Sequence, residues 1–160
     1  MTDSLPSRCV IVGASHAAAQ CALSLRKDGW AGDITLVGEE PTPPYHRPPL
    51  SKAYIKGEVT LESMLIRPLA LYEQNKITLK LGLRVEAIDR PQQQVRLSDG
   101  SHLPYDRLVL ATGSVNSHPA IPGLDLPGVF FLRTAAEAQA LVAAANKASR
   151  LVVVGGGYIG

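Results

Sequence analysis

Two hydrophobic patterns alternate along this chain: short unbroken apolar runs, and apolar residues at helical spacing. Arg8 to Val12 reads as a strand buried on both faces, since its apolar residues follow one another without polar interruption. Ala14, Ala17, Ala18, Cys21, Ala22 and Leu25 then recur at helical spacing, with Gly29 placed as the C-terminal cap. The small side chains of Ala17 and Ala18 let that helix lie close to a sheet. Ile34 to Val37 is a second apolar strand, ending in Gly38-Glu39-Glu40. A β-α-β unit of about thirty residues suits a right-handed parallel crossover.

The pattern then breaks. Pro41-Thr42-Pro43-Pro44-Tyr45-His46-Arg47-Pro48-Pro49-Leu50 is too rich in proline to join a sheet, yet proline fixes φ and keeps such a loop ordered. A short helix is expected over Ser51 to Ile55, another over Pro68 to Asn75, and a strand at Ile77 to Leu81. From Val85 come short alternating strands, at Val85 to Ile88, Gln94 to Leu97 and Ser101 to Leu103, with Asp99-Gly100 as a hairpin turn. Leu108 to Gly113 returns to a buried parallel strand. Ser117 to Gly128 reads as a linker. Thr134 and Glu137 have capping-box spacing ahead of an alanine-rich helix ending near Lys147, and Leu151 to Val154 is a further buried strand.

The fold class that follows is α/β: a Rossmann-like domain with a parallel sheet, helices and a small antiparallel meander, then the start of a second such domain. Residues 1–115 are assigned to the first domain, and residues 116–160 to a linker and an incomplete second one. Chemistry concentrates at two glycine turns. The first is Gly13-Ala14-Ser15-His16-Ala17-Ala18 behind Cys9 to Val12; the second is Gly155-Gly156-Gly157-Tyr158-Ile159-Gly160 behind Leu151 to Val154. A strand, a tight glycine turn and a helix N-terminus together aim free N–H groups at a phosphate. In the first turn Ser15 replaces the second glycine of G-x-G-x-x-G and Ala18 the third. Alanine suits a position that needs only close packing, and the Ser15 hydroxyl is able to donate to a phosphate oxygen. Glu39, at the end of the second strand, stands where a carboxylate accepts from ribose hydroxyls and repels a 2′-phosphate. An ordinary βα turn in some other α/β protein is the competing reading. The second turn keeps all three glycines, Gly155, Gly157 and Gly160 in the motif positions, and stops there. It reads as the opening of a longer unit, so the 160-residue chain is expected to be inactive alone.

Composition changes this picture little. Apolar residues are 46% and charged residues 19%, and the net charge of +2 gives no reason to expect nucleic acid or an anionic membrane. No apolar run approaches the ~20 residues of a membrane helix, and Met1 to Pro6 has no signal-peptide character, so a cytoplasmic location is expected. Cys9 and Cys21 fit buried thiols. No cysteine or histidine cluster suggests a metal. His16 and His46 are read as polar loop residues without a proton-transfer role.

Two further segments carry a resemblance. Tyr105 to Ser114 resembles the second flavin-contact segment of two-dinucleotide flavoprotein reductases. Arg47-Pro48-Pro49-Leu50-Ser51-Lys52 resembles the loop of one branch, the FAD-dependent, NADH-linked ferredoxin, rubredoxin and putidaredoxin reductases. The resemblance runs along essentially all 160 residues. It implies FAD in the first site and NAD(H) in the second, with NADH preferred to NADPH. Hydride would pass to the flavin, and single electrons to a small iron–sulfur protein, ferredoxin or rubredoxin. Position by position, it implies that Gly13 to Ala18 hold the FAD pyrophosphate and Glu39 the adenosine ribose. Lys52 would be the catalytic residue beside the isoalloxazine, a cation opposite the negative charge of reduced flavin. Val85 would meet adenine through its backbone, Ala111, Thr112 and Gly113 would line the flavin, Arg133 would reach the cofactor's phosphate side, and Arg47 would be a further cofactor-binding residue. The segment from Pro41 to Lys52 contains no cysteine, which argues against a thiol relay. Alternatives are a flavin reductase with another acceptor, such as the flavin part of a nitrite reductase, and a non-catalytic FAD- or NAD-binding module.

Overall fold

The computed structural model describes residues 7–157. The described residues form two compact units: residues 7–46 with 65–113, and residues 47–64 with 114–157.

The first unit is built on a parallel sheet. Strands β1 (Cys9–Val12), β2 (Ile34–Gly38), β3 (Ile77–Leu81) and β7 (Arg107–Leu110) lie in the order β3-β2-β1-β7. Strands β4 (Val85–Asp89), β5 (Gln94–Leu97) and β6 (His102–Pro104) form a separate antiparallel meander, turned at Asp99-Gly100. Helix α1 (His16–Lys27) crosses from β1 to β2, and the short α2 (Leu69–Gln74) precedes β3.

Why β1 is apolar throughout is visible in its two faces. Cys9 and Ile11 pack with Ala18, Ala19 and Ala22 of α1, together with Ile34, Leu36, Tyr72 and Ile77. Val10 and Val12 point the other way, onto Val37 and onto Val95, Leu97 and Tyr105 from the meander region. Successive strand residues alternate between faces, so a strand covered on both sides must be apolar at every position. Burying such side chains contributes about 1.5–3 kcal/mol each. The helix face differs slightly from the sequence expectation. Ala18 and Ala19 are the buried pair, whereas Ala17 faces solvent. After α1 the chain turns at Gly29 (φ 90°), where the Trp30 N–H donates to Leu25 O. The half-buried Arg26 guanidinium then donates to four carbonyls, those of Trp30, Gly32, Asn75 and Lys76, and ties α1 to the turn before β3.

Three sequence expectations are corrected. The helix expected over Ser51 to Ile55 is a 3₁₀ turn at Pro48–Ser51 followed by irregular turns. Proline at the first positions sets φ for a tight turn, and the N–H groups of Lys52 and Tyr54 both go to Pro49 O, so no i to i−4 ladder starts. The strand expected at Leu108 to Gly113 is parallel, but among the described residues it pairs with β1 alone. It is a half-exposed edge, with Leu110 61% exposed. The run from Leu151 to Val154 is not a strand, and its side chains are 58–79% exposed. Among the described residues no strand lies beside it to supply ladder hydrogen bonds.

In the second unit, α3 (Ala135–Ala145) starts at the expected capping box: Thr134 Oγ1 accepts from the Glu137 N–H, and Glu137 accepts from the Thr134 N–H. The stretch from Ser117 to Gly128 has no regular strand or helix.

Candidate functional site

In the first unit the carboxyl ends of β1, β2 and β7 converge on the first glycine turn. The Gly13 N–H donates to Val37 O and the Ala111 N–H to Val12 O, both at 2.8 Å, so the ladder runs to the very lip of the turn. Gly13 has φ 117°, and a Cβ there would stand 2.1 Å from the Ala111 carbonyl oxygen. A Cβ on Gly38 would stand 2.4 Å from the Ala14 Cβ. Only glycine fits either place. The chain at Gly13, Ala14, Gly38 and Ala111 therefore draws backbone together into a close-packed cradle.

Helix α1 opens from this cradle with Ser15 at its N-cap. The Ser15 side chain makes no capping bond, and the first turn contains no acidic residue. The orphan N–H groups of that turn thus lack the side-chain partner that most helix starts supply, the arrangement that favours an anion. Ala17 and His16 are exposed on the same turn, while Ala18 presses on the sheet. His16 Nε2 and His46 Nδ1 lie 2.9 Å apart, joining the helix start to the middle of the proline-rich loop. Glu39 sits one residue past β2, largely exposed, with its carboxylate 3.6 Å from the Arg84 guanidinium. Val85 follows Arg84 at the start of β4. Thr112 and Gly113 continue from β7 and are exposed, Gly113 at φ 69°. The loop between is pinned from beneath: Tyr45 is buried, and its hydroxyl donates to Glu40 at 2.6 Å.

The second unit holds a cavity of about 470 Å³. Arg47, Lys52 and Arg133 line it, with Leu50, Leu132 and Asn116. Arg47 Nη1 donates to the Arg133 carbonyl at 2.9 Å. Three cations and no carboxylate side chain in the lining make this an anion-favouring space with apolar walls. Lys52 is exposed in that wall. Gly155 and Gly157 lie in the exposed 151–157 stretch, where a Cβ would meet nothing within 4 Å. Gly160 lies outside the described residues.

Sequence reasoning did not find Gly38, Arg84 or Asn116. Gly38 was legible as a strand end but not as a contact of Ala14. Arg84 and Asn116 carry no local signal, since each matters through a partner distant in sequence. Among the described residues no group of three or more His, Cys, Asp or Glu side chains is arranged to hold a metal ion, and no helix is long and apolar enough to cross a membrane.

Residues 7–160 match the family described as pyridine nucleotide-disulphide oxidoreductase. The chain is 48% identical over 151 residues to rhodocoxin reductase from Rhodococcus erythropolis, an alignment covering 94% of this chain and 35% of that one. Among solved structures, the ferredoxin reductase for the CYP199A2 system of Rhodopseudomonas palustris superposes with a TM-score of 0.82 at 38% identity, covering 88% of this chain and 35% of that one. Putidaredoxin reductase in covalent complex with putidaredoxin gives 0.77 at 41% identity, covering 88% and 34%. The chain spans little more than a third of the length of the curated relatives it matches. With its cradle, sheet order and meander in place, the chain belongs to the pyridine nucleotide-disulphide oxidoreductase family.

Proposed function

We propose that this chain is the FAD-binding part of an NADH-dependent reductase that passes electrons singly to a small iron–sulfur protein, ferredoxin or rubredoxin. Residues 1–115 would form the first segment of the FAD domain, and residues 116–160 the linker and the beginning of the NAD domain. The observation that carries the reading is the cradle at Gly13, where backbone closes on Ala111 and α1 begins without a side-chain cap.

Each residue then has a task. The turn from Gly13 to Ala18 offers N–H groups to the pyrophosphate, and Ser15, free of capping duty, is available to donate to it. Glu39 accepts from the adenosine ribose, releasing its hold on Arg84. The Val85 backbone meets adenine, and Ala111, Thr112 and Gly113 line the flavin. Arg47, Lys52 and Arg133 supply positive charge in their cavity, Lys52 opposite the developing anion. When bound, FAD supplies the exchange between a two-electron hydride donor and one-electron acceptors. A second turn built around Gly155, Gly157 and Gly160 serves NAD(H). Support for the partner comes from the relatives, named for rhodocoxin, putidaredoxin and rubredoxin. We place the protein in the cytoplasm and take NADH over NADPH.

The test is made on the full-length protein. Flavin released by denaturation should chromatograph as FAD, and NADH should drive reduction of a putidaredoxin-type ferredoxin or a rubredoxin. FMN alone, or no flavin, sinks the reading. Lys52→Ala should slow flavin reduction and lower the midpoint potential by roughly 20 mV, about 1 kcal/mol for an exposed cation in a two-electron couple. An unchanged potential removes Lys52 from the site.

A further inference from the structure

One carboxylate in the second unit serves both a helix cap and the cavity wall. Glu137 Oε2 accepts from the backbone N–H groups of Arg133 and Thr134, each at 2.8 Å. Its other oxygen, Oε1, accepts from Asn116 Nδ2 at 2.9 Å. Capping needs the first oxygen alone. The second reaches out of α3 to a residue in the preceding irregular stretch, where Asn116 is the one part-buried residue between Thr112 and Ala120.

That bond also sets the amide's orientation. A carboxylate only accepts, so Asn116 turns its NH₂ to Glu137 and its Oδ1 the other way. Arg133, gripped at its N–H by the same carboxylate, gives its carbonyl to Arg47. Asn116, Arg133 and Arg47 all line the cavity, so Glu137 braces three of its polar groups from behind. Arg47, Lys52 and Arg133 are donors only. Asn116 is thus one of two lining side chains, with Ser51, that bring an acceptor.

We propose that Glu137 is a positioning residue for this cavity and that Asn116 is a further ligand-contacting residue, its amide oxygen accepting an N–H from a ligand otherwise rich in acceptors. A bare phosphate has no such group. An imide edge, carbonyl–N–H–carbonyl, has one, and the isoalloxazine ring carries it at N3. This inference rests on the FAD reading above.

The experiment uses the full-length flavoprotein with FAD and 3-methyl-FAD as probes. Asn116→Leu removes the acceptor. Glu137→Gln keeps a capping box, since glutamine also caps, but its NH₂ obliges the Asn116 amide to turn over. Each variant should weaken FAD binding about three- to tenfold, the effect of one lost hydrogen bond. The double variant should be no weaker than either single one, because both act through one contact. Wild type should prefer FAD to 3-methyl-FAD, and both variants should lose that preference while melting as wild type does. Wild-type affinity in both variants, or additive losses with the FAD preference intact, overturns the proposal while leaving the FAD reading standing. A wild-type protein that binds no FAD overturns both.

Discussion

Gly13 and Gly155 stand at nearly the same backbone angle, φ 117° and 111°, each behind a run of apolar residues. Around Gly13 the chain is crowded: β1 lies between β2 and β7, its side chains are buried, and a Cβ would collide with Ala111. Around Gly155 a Cβ meets nothing, and Leu151 to Val154 are exposed. Local sequence therefore sets the turn in both places, while among the described residues the first turn alone has neighbours that convert it into a cradle. A strand is a relation between segments. An apolar run becomes one when other segments take its N–H and C=O groups and cover its faces.

The sharpest test of this contrast is glycine replacement in the two turns. Gly13→Ala should abolish flavin retention and destabilise the first unit severely, because the added carbon has backbone, not a flexible side chain, in its way. In this 160-residue chain, Gly155→Ala should cost stability only through the left-handed conformation, about 1–2 kcal/mol. Thermal melting and flavin content of the purified variants measure both. Equal losses would show that conformation, not crowding, governs the first turn.

Cavity formation gives a smaller but cleaner contrast. Leu36→Ala opens space in a fully buried cluster and should cost about 2–5 kcal/mol. Val153→Ala in the exposed run should stay within about 0.5 kcal/mol. Urea denaturation decides. A large loss at Val153 would mean that a partner covers it in solution.

The smallest effect concerns the pin between β1 and β7. Asp106 accepts from the Arg8 N–H at 2.7 Å and from its guanidinium at 3.1 Å, and these bonds hold its carboxyl below the ordinary 3.8. A depressed folded-state value contributes stability above the unfolded value and loses it as pH falls through the folded one. Asp106→Asn should therefore be less stable than wild type at neutral pH. The gap should close as pH drops below 3.8. Urea midpoints across that range check it, and a gap that persists in acid would assign the effect to packing.

Much of the fold was legible because its signals are local. The apolar run of β1, the helical spacing of α1, the Asp99-Gly100 turn and the Thr134–Glu137 box all lie within one or two turns of chain, and each is found where expected. What was misread depends on neighbours. Ala17 and Ala19 are equally small, and the packing direction of α1 selects Ala19 for burial.

The sequence by itself determined where α1 and α3 start and where the chain turns at Gly13, Gly29 and Gly100, since sterics and capping act over a few residues. Tertiary structure alone decided which turn is enclosed and which glycines cannot be replaced. It also decided that Glu137 joins its cap to Asn116 and that Arg84 meets Glu39. These depend on atoms brought together from distant parts of the chain, and no local pattern records that approach.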